Sequence, residues 1–223
     1  MIAETENLQV HDLVEIEPDS LAPSDESAPV WVRDALASCP WAAVRRAHAL
    51  DGLIPVGIRG TRRYERWGTD CLKEGIREIV TPESLLDRFR SSTPIPRTPA
   101  LMALCELVDR LSGRVLRWGP FGSAAFELAT GQQVTTEASD LDLMIRVPEP
   151  MSRHQAQLLW QLTQGLQARA DVLVETGHYG FSLEEYANPI SSRILLRHKD
   201  GSRLEQDPWA VHSHATNVET MHP

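Results

Sequence analysis

Apolar residues recur with two different periods along this 223-residue chain, and the period assigns the elements. Between Asp140 and Val147, Leu141, Leu143, Ile145 and Val147 alternate with Asp140, Asp142, Met144 and Arg146, the two-residue repeat of a strand buried on one face. Residues 114–118 read as a short strand, 119–122 as the turn leaving it, and 123–129 as a helix stopped by Gly131. Leu159, Leu162 and Leu166 repeat at helical spacing within 152–168, and 170–175 follows as a strand. Upstream, 30–38 predicts a short helix ended by Pro40, and 44–46 and 54–59 predict strands that each end in a basic residue. Thr81-Pro82 and Thr98-Pro99 each open a helix, with threonine as the cap and proline in the first turn, the second running to about Leu111 before Gly113. Residues 193–198 and 202–205 flank Asp200-Gly201, a hairpin signal.

Punctuation divides the chain in two. Residues 18–29 are rich in Asp, Glu, Ser and Pro and predict a mobile loop, and the prolines and hydroxyls of 91–98 read as a linker. The expected organisation is an N-terminal α/β part over 1–92, a catalytic part over 98–208, and a disordered tail over 209–223, which lacks periodicity. With 42% hydrophobic residues, the chain can bury one large core or two small ones. The fold class is α+β.

Charge and cysteine usage narrow the function. A net charge of −9 argues against non-specific polynucleotide binding, which runs on surplus Lys and Arg, so no nucleic-acid partner is expected. Cys39, Cys71 and Cys105 are odd in number, widely spaced and free of any C-x-x-C pairing, as in a reduced cytoplasmic protein. The acidic N-terminus has no basic or apolar export region, and no run approaches about 18 consecutive apolar residues, so neither export nor a membrane partner is expected.

The chemistry concentrates between Gly119 and Ile145. Ser123 stands at a predicted helix N-terminus, where free N–H groups and the helix dipole favour an anion, and Gly122 lets a phosphate oxygen approach the backbone. Asp140 and Asp142 fall on one face of the following strand with Cα atoms about 6.6 Å apart, close enough for their carboxylates to share Mg²⁺. Two adjacent carboxylates repel, and a divalent cation offsets that repulsion. Asp171, entering the next strand, is a possible third carboxylate, and Glu175, four positions along on the same face, is a lesser candidate.

Glycine-serine at a helix start followed by a strand bearing Asp140-Leu-Asp142 resembles the nucleotidyltransferase superfamily, with its DNA polymerase β-like fold. The gap between the two motifs is longer than usual for that superfamily, which implies an excursion through 131–138. Further residues make the chain similar to the malonate decarboxylase holo-acyl carrier protein synthases, also called phosphoribosyl-dephospho-CoA transferases. They are Val10-His-Asp-Leu-Val14, Pro40-Trp41, Val44-Arg45-Arg46, the run from Asp51 to Gly60, Arg63-Tyr-Glu-Arg66, and the segments from Gly122 to Gly131 and Ser139 to Leu143.

That resemblance implies a Mg²⁺-dependent enzyme. It would take 2′-(5″-triphosphoribosyl)-3′-dephospho-CoA, attach its phosphoribosyl-dephospho-CoA portion to a serine of the malonate decarboxylase acyl carrier subunit, and release pyrophosphate. Asp140 and Asp142 match the family's catalytic, metal-holding acids, and Gly122 and Ser123 its phosphate-holding turn.

Arg45, Arg46, Arg59, Arg62, Arg63 and Arg66 could supply cations for the phosphates; Arg59, between Gly57 and Gly60, is the best placed. Lys199 and Arg197 on the hairpin are further candidates. His212 and His214 lack the companions of a metal site, and His11 reads as a structural histidine rather than a base. Two other functions stay open: an antibiotic-type nucleotidyltransferase using ATP, and a non-catalytic nucleotide-binding module.

Overall fold

In a computed structural model, residues 7–22, 28–91, 97–190 and 192–210 are described, and they form two sheets. The first has the order β4-β3-β2-β1-β5, with β1 Leu13–Ile16, β2 Trp41–Val44, β3 Leu53–Arg59, β4 Arg66–Leu72 and β5 Ile76–Val80, all antiparallel. Helix α1, Val30–Ser38, covers one face, and Val14, Ile16, Val32, Leu36, Val56 and Ile58 form the core between them. Helix α2, Pro82–Ser91, leads out of this sheet. Its first turn is capped as expected, Ser84 N donating to Thr81 Oγ1 at 3.1 Å.

The second sheet, β11-β10-β9-β8-β7-β6, is mixed. Its strands are β6 Arg117–Pro120, β7 Leu141–Arg146, β8 Ala170–Glu175, β9 Tyr179–Ser182, β10 Ile194–His198 and β11 Gly201–Glu205. Only β7 and β8 run parallel, joined through α5, Arg153–Leu162, whose N-terminus is closed by a capping box between Ser152 and Gln155. Helix α3, Pro99–Arg110, lays Leu101, Leu104 and Leu107 on the sheet against Leu141, Leu143, Ile145, Val172 and Val174. Helix α4, Gly122–Thr130, and α6, Leu183–Ala187, complete the layer architecture, so the chain is a two-part α+β protein.

Several boundaries differ from expectation. β6 begins at Arg117 and takes in Gly119 and Pro120, which the sequence assigns to a turn. Pro120 is tolerated because β6 is the edge of the sheet. Thr98 precedes α3 but does not cap it; its hydroxyl bonds Thr135 Oγ1 at 2.9 Å instead. α5 ends at Leu162 rather than continuing to 168. Within the expected mobile loop, Pro18–Ser20 is a 3-10 turn and Leu21 bridges to Cys71, while 23–27 lie outside the described residues. Most of the expected linker, 92–96, and His212 and His214 also lie outside them. At the expected tail, Trp209 is buried edge-on against Phe181, so core packing extends past 208; residues 211–223 lie outside the described range. Cys39, Cys71 and Cys105 are free thiols, and among the described residues no helix is long and apolar enough to cross a membrane.

A third apolar cluster joins the two parts. Leu13, Trp41 and Val80 of the first sheet and Leu85 of α2 pack against Ala125 and Phe126 of α4. Gly119 of β6 lies so close to α2 that an added Cβ would meet the Pro82 carbonyl. Because that obstacle is backbone, Gly119→Ala should destabilise the protein by about 1–3 kcal/mol in urea denaturation. An unchanged midpoint would contradict the close approach of α2 to β6.

Candidate active site

β6 delivers the chain to Phe121, and Gly122 turns it into α4. Gly122 has φ +66°, and a Cβ there would strike the Asp142 carboxylate, so conformation and space both demand glycine. Phe121 N donates to Asp142 O at 3.0 Å, which fixes the helix N-terminus beside β7. The helix closes at Gly131 in the left-handed conformation, as expected. The excursion through 131–138 is packed: Glu127 Oε2 accepts from Val134 N at 3.0 Å, Thr135 N at 2.8 Å and Thr135 Oγ1 at 2.6 Å.

The carboxylates assemble through strand register. In the parallel β7–β8 ladder Asp142 is the partner of Asp171, while Leu141 and Leu143 turn into the core on the opposite face. Asp140 lies just before β7 and is exposed. Burial, followed by the negative charges of Asp171 and Asp140, pushes Asp142 up to about 6; His11 and Arg63 partly offset this. Asp171 also meets Arg169, whose Nε lies 2.9 Å from its Oδ1.

Arg59 extends from β3 to the same place. Its Nη1 donates to Ser123 Oγ at 3.3 Å and its guanidinium lies 5.2 Å from the Phe126 ring centroid. Its Nε is buried without a hydrogen-bond partner, and no carboxylate pairs with it among the described residues. Burial, with Arg66 nearby, lowers its pKa. A desolvated cation at a helix N-terminus is an anion receptor, so the structure gathers Arg59, Gly122 and Ser123 at one point.

Glu175 is not part of the carboxylate set. Buried at the far end of β8, it accepts from Arg46 and lies 2.9 Å from His11 Nε2, which binds the first sheet to the second. The hydrogen bond to His11 and the Arg46 guanidinium hold its carboxyl below its ordinary range despite burial. His11 is the one non-glycine with positive φ, +76°, among the described residues, and its ring leans on Phe121 at 4.3 Å between centroids. Arg146 makes a second clasp, reaching Asp12 Oδ1 at 3.1 Å and Glu83 Oε1 at 2.9 Å. The sequence singled out neither clasp, because partners 63 to 164 residues apart leave no local pattern. Arg62 and Glu65 form an exposed loop pair, and Arg117 is exposed beside Glu83.

Among the described residues no three or more His, Cys, Asp or Glu side chains form a ready-made metal cage. Mg²⁺ needs less, since one or two carboxylates suffice when phosphates supply other ligands. The crowding of negative charge at Asp142 fits such an ion, which Asp140 and Asp142 would hold.

The raised pKa of Asp142 carries a stability consequence. Because its folded value exceeds the ordinary 3.8, its favourable contribution is complete below about pH 4 and is lost as pH rises through about 6. In metal-free buffer Asp142→Asn should therefore stabilise the protein by about 1–3 kcal/mol at pH 7.5 and much less at pH 4. Denaturation curves giving the same change at both pH values would refute this environment for Asp142.

Comparison with known proteins now bears on this geometry. Residues 9–82 match the phosphoribosyl-dephospho-CoA transferase MdcG N-terminal domain, and residues 84–208 match the phosphoribosyl-dephospho-CoA transferase MdcG C-terminal domain. A phosphoribosyl-dephospho-CoA transferase of Pseudomonas putida is 39% identical over 201 residues, covering 90% of this chain and 95% of the relative. One from Azotobacter vinelandii is 39% identical over 203 residues, 90% of this chain and 94% of the relative, and one from Pseudomonas aeruginosa is 35% identical over 186, 83% and 87%. No solved structure gives a significant match. With both domains matched in order along nearly the whole described length, the chain belongs to the phosphoribosyl-dephospho-CoA transferase family.

Proposed function

We propose that this protein transfers the phosphoribosyl-dephospho-CoA portion of 2′-(5″-triphosphoribosyl)-3′-dephospho-CoA to a serine of the malonate decarboxylase acyl carrier subunit, releasing pyrophosphate. The observation that carries this reading is that the half-buried, carboxylate-free Arg59 meets the α4 N-terminus at Ser123, next to Gly122, whose backbone lies against the Asp142 carboxylate of the Asp142–Asp171 register pair. A polyphosphate needs the first and its metal counter-ion the second.

In the transfer, the serine oxygen bonds to the phosphorus attached to the ribose, and the bond from that phosphorus to the pyrophosphate oxygen breaks. Arg59, Ser123 and the free N–H groups of α4 hold the departing phosphates and take up their growing charge. Mg²⁺, when bound by Asp140 and Asp142, neutralises phosphate charge and lowers the proton affinity of the serine hydroxyl. Asp171, outside that metal pair and beside Asp142 in register, accepts the serine proton. The first sheet contributes Arg59 to a centre otherwise built on the second, so the site draws on both parts.

Mass spectrometry of the apo carrier subunit, incubated with the protein, Mg²⁺ and the triphosphorylated donor, should reveal a mass gain equal to the prosthetic group. Asp140→Ala and Asp142→Ala should each slow that gain by about 10²–10³-fold, the usual loss when a group stabilising transition-state charge is removed. Arg59→Ala should lower transfer less, by about tenfold to a hundredfold, because Ser123 and the backbone amides remain. Modification supported by ATP and not by the donor would overturn the reading.

A further inference from the structure

The carboxylate site opens into a groove of about 1180 Å³ whose far half takes no part in the transfer chemistry. Strand register defines its floor. Leu173 shares the face of Asp171 on β8 and is paired with Ser182 of β9; Arg197 of β10 is paired with Gly180 of β9, and Leu195 of β10 with Leu204 of β11. Alternation therefore places Asp171, Leu173, Ser182, Leu195, Arg197 and Leu204 on one continuous face, while Val174, Phe181 and Leu196 turn into the core. Arg193, immediately before β10, and Ile190, after α6, line the same groove.

This face departs from an ordinary solvated sheet, which carries polar side chains outward. Leu204 is 56% exposed and Ile190 105%, apolar surface left open beside a reactive centre. The acids in the groove are engaged internally: Glu185 Oε2 accepts from Leu195 N at 3.2 Å and Glu184 lies 3.4 Å from Arg169. Arg197 is exposed and makes no ion pair among the described residues. Apolar positions interleaved with guanidinium groups suit an amphiphilic ligand that carries phosphate, since guanidinium matches phosphate oxygens in pairs. The groove is also larger than the roughly 300–1,000 Å³ of pockets for drug-sized ligands.

We infer that the groove seats the dephospho-CoA arm of the donor, with Arg193 and Arg197 on its diphosphate and Leu173, Leu195 and Leu204 against its uncharged pantetheine chain. This rests on the transferase reading and specifies where the non-reacting half of that substrate binds. Continuity decides the occupant: one cavity includes Asp142, Asp171 and the arginines, and the donor joins a polyphosphate to a dephospho-CoA in one molecule. Binding energy gathered along this arm then fixes the reacting phosphate at the carboxylates.

Dephospho-CoA itself, which lacks the triphosphoribosyl group, is the probe. Calorimetry with the full chain should detect its binding, and Arg193→Ala and Arg197→Ala should each weaken it about tenfold. Inorganic tripolyphosphate, the probe for the Arg59 end, should bind both variants as it binds the unsubstituted protein. Asp142→Asn should retain dephospho-CoA affinity. The assignment is overturned if the unsubstituted protein does not bind dephospho-CoA, or if both arginine variants bind it normally. It is also overturned if they raise only the KM for the carrier subunit, which would make the groove the carrier's docking surface. The transferase reading fails by a different result, the absence of any prosthetic-group mass gain on the carrier with the unsubstituted protein.

Discussion

The parallel pairing of β7 with β8 is the constraint from which the site follows. Backbone hydrogen bonds set Asp142 opposite Asp171, and the apolar residues on the other face forbid a one-residue slip, because a slip would carry Leu141, Leu143 and Ile145 out of the core. Two carboxylates that repel are thus kept side by side by interactions in which neither takes part. Burial, with the repulsion of Asp171 and Asp140 added to it, pushes Asp142 up to about 6, and the conflict persists because the surrounding core over-determines the register. Such local conflict is expected at a functional site, where stability is exchanged for binding.

The second requirement is a cation at the turn that adjoins that pair, and the other sheet provides it. Arg59 approaches the α4 N-terminus because Ala125 and Phe126 pack on Leu13, Trp41 and Val80. His11 and Arg46 on Glu175, and Arg146 on Asp12 and Glu83, hold the sheets at this separation. Burial pushes Asp12 up to about 6 even with Arg146 beside it, so desolvation outweighs the attraction at that contact. The clasp therefore acts chiefly by fixing the mutual orientation of the parts, with the apolar cluster supplying the favourable burial. His11, held at positive φ against Phe121, ties the Glu175 clasp to the residue that precedes Gly122.

Local pattern made much of this legible. The strict alternation of 140–147, the glycine at each end of α4, and the helix at Val30–Ser38 all follow from rules acting over a few residues, and the structure keeps them. β4, where Gly68 and Thr69 leave only Trp67 and Cys71 as apolar positions ahead of Leu72, gave no such signal, nor did the short β9. Thr98 resembled a cap in sequence, yet its hydroxyl found Thr135, a partner brought near only by the packed excursion after α4. Glu175 shares a strand face with Asp171 and looked like its companion. The fold gives the two opposite fates because the first sheet covers one end of β8 and leaves the other open.

That unequal covering explains how one sheet face serves two purposes. Where the N-terminal part lies over β7 and β8, the outward residues are Arg146 and Glu175, charges neutralised by partners from the other part. Where the cover stops, the outward residues are Asp142, which has no ion pair among the described residues, and Asp171, paired with the exposed Arg169, followed by leucines and arginines that continue to β11. A charge left short of partners at a boundary between covered and open sheet is poised for an incoming ion or phosphate, because a ligand arriving there loses little water that the protein has not already displaced. The edge of the cover therefore coincides with the proposed reactive point, and the bare sheet beyond it is the open surface onto which the proposed donor would extend.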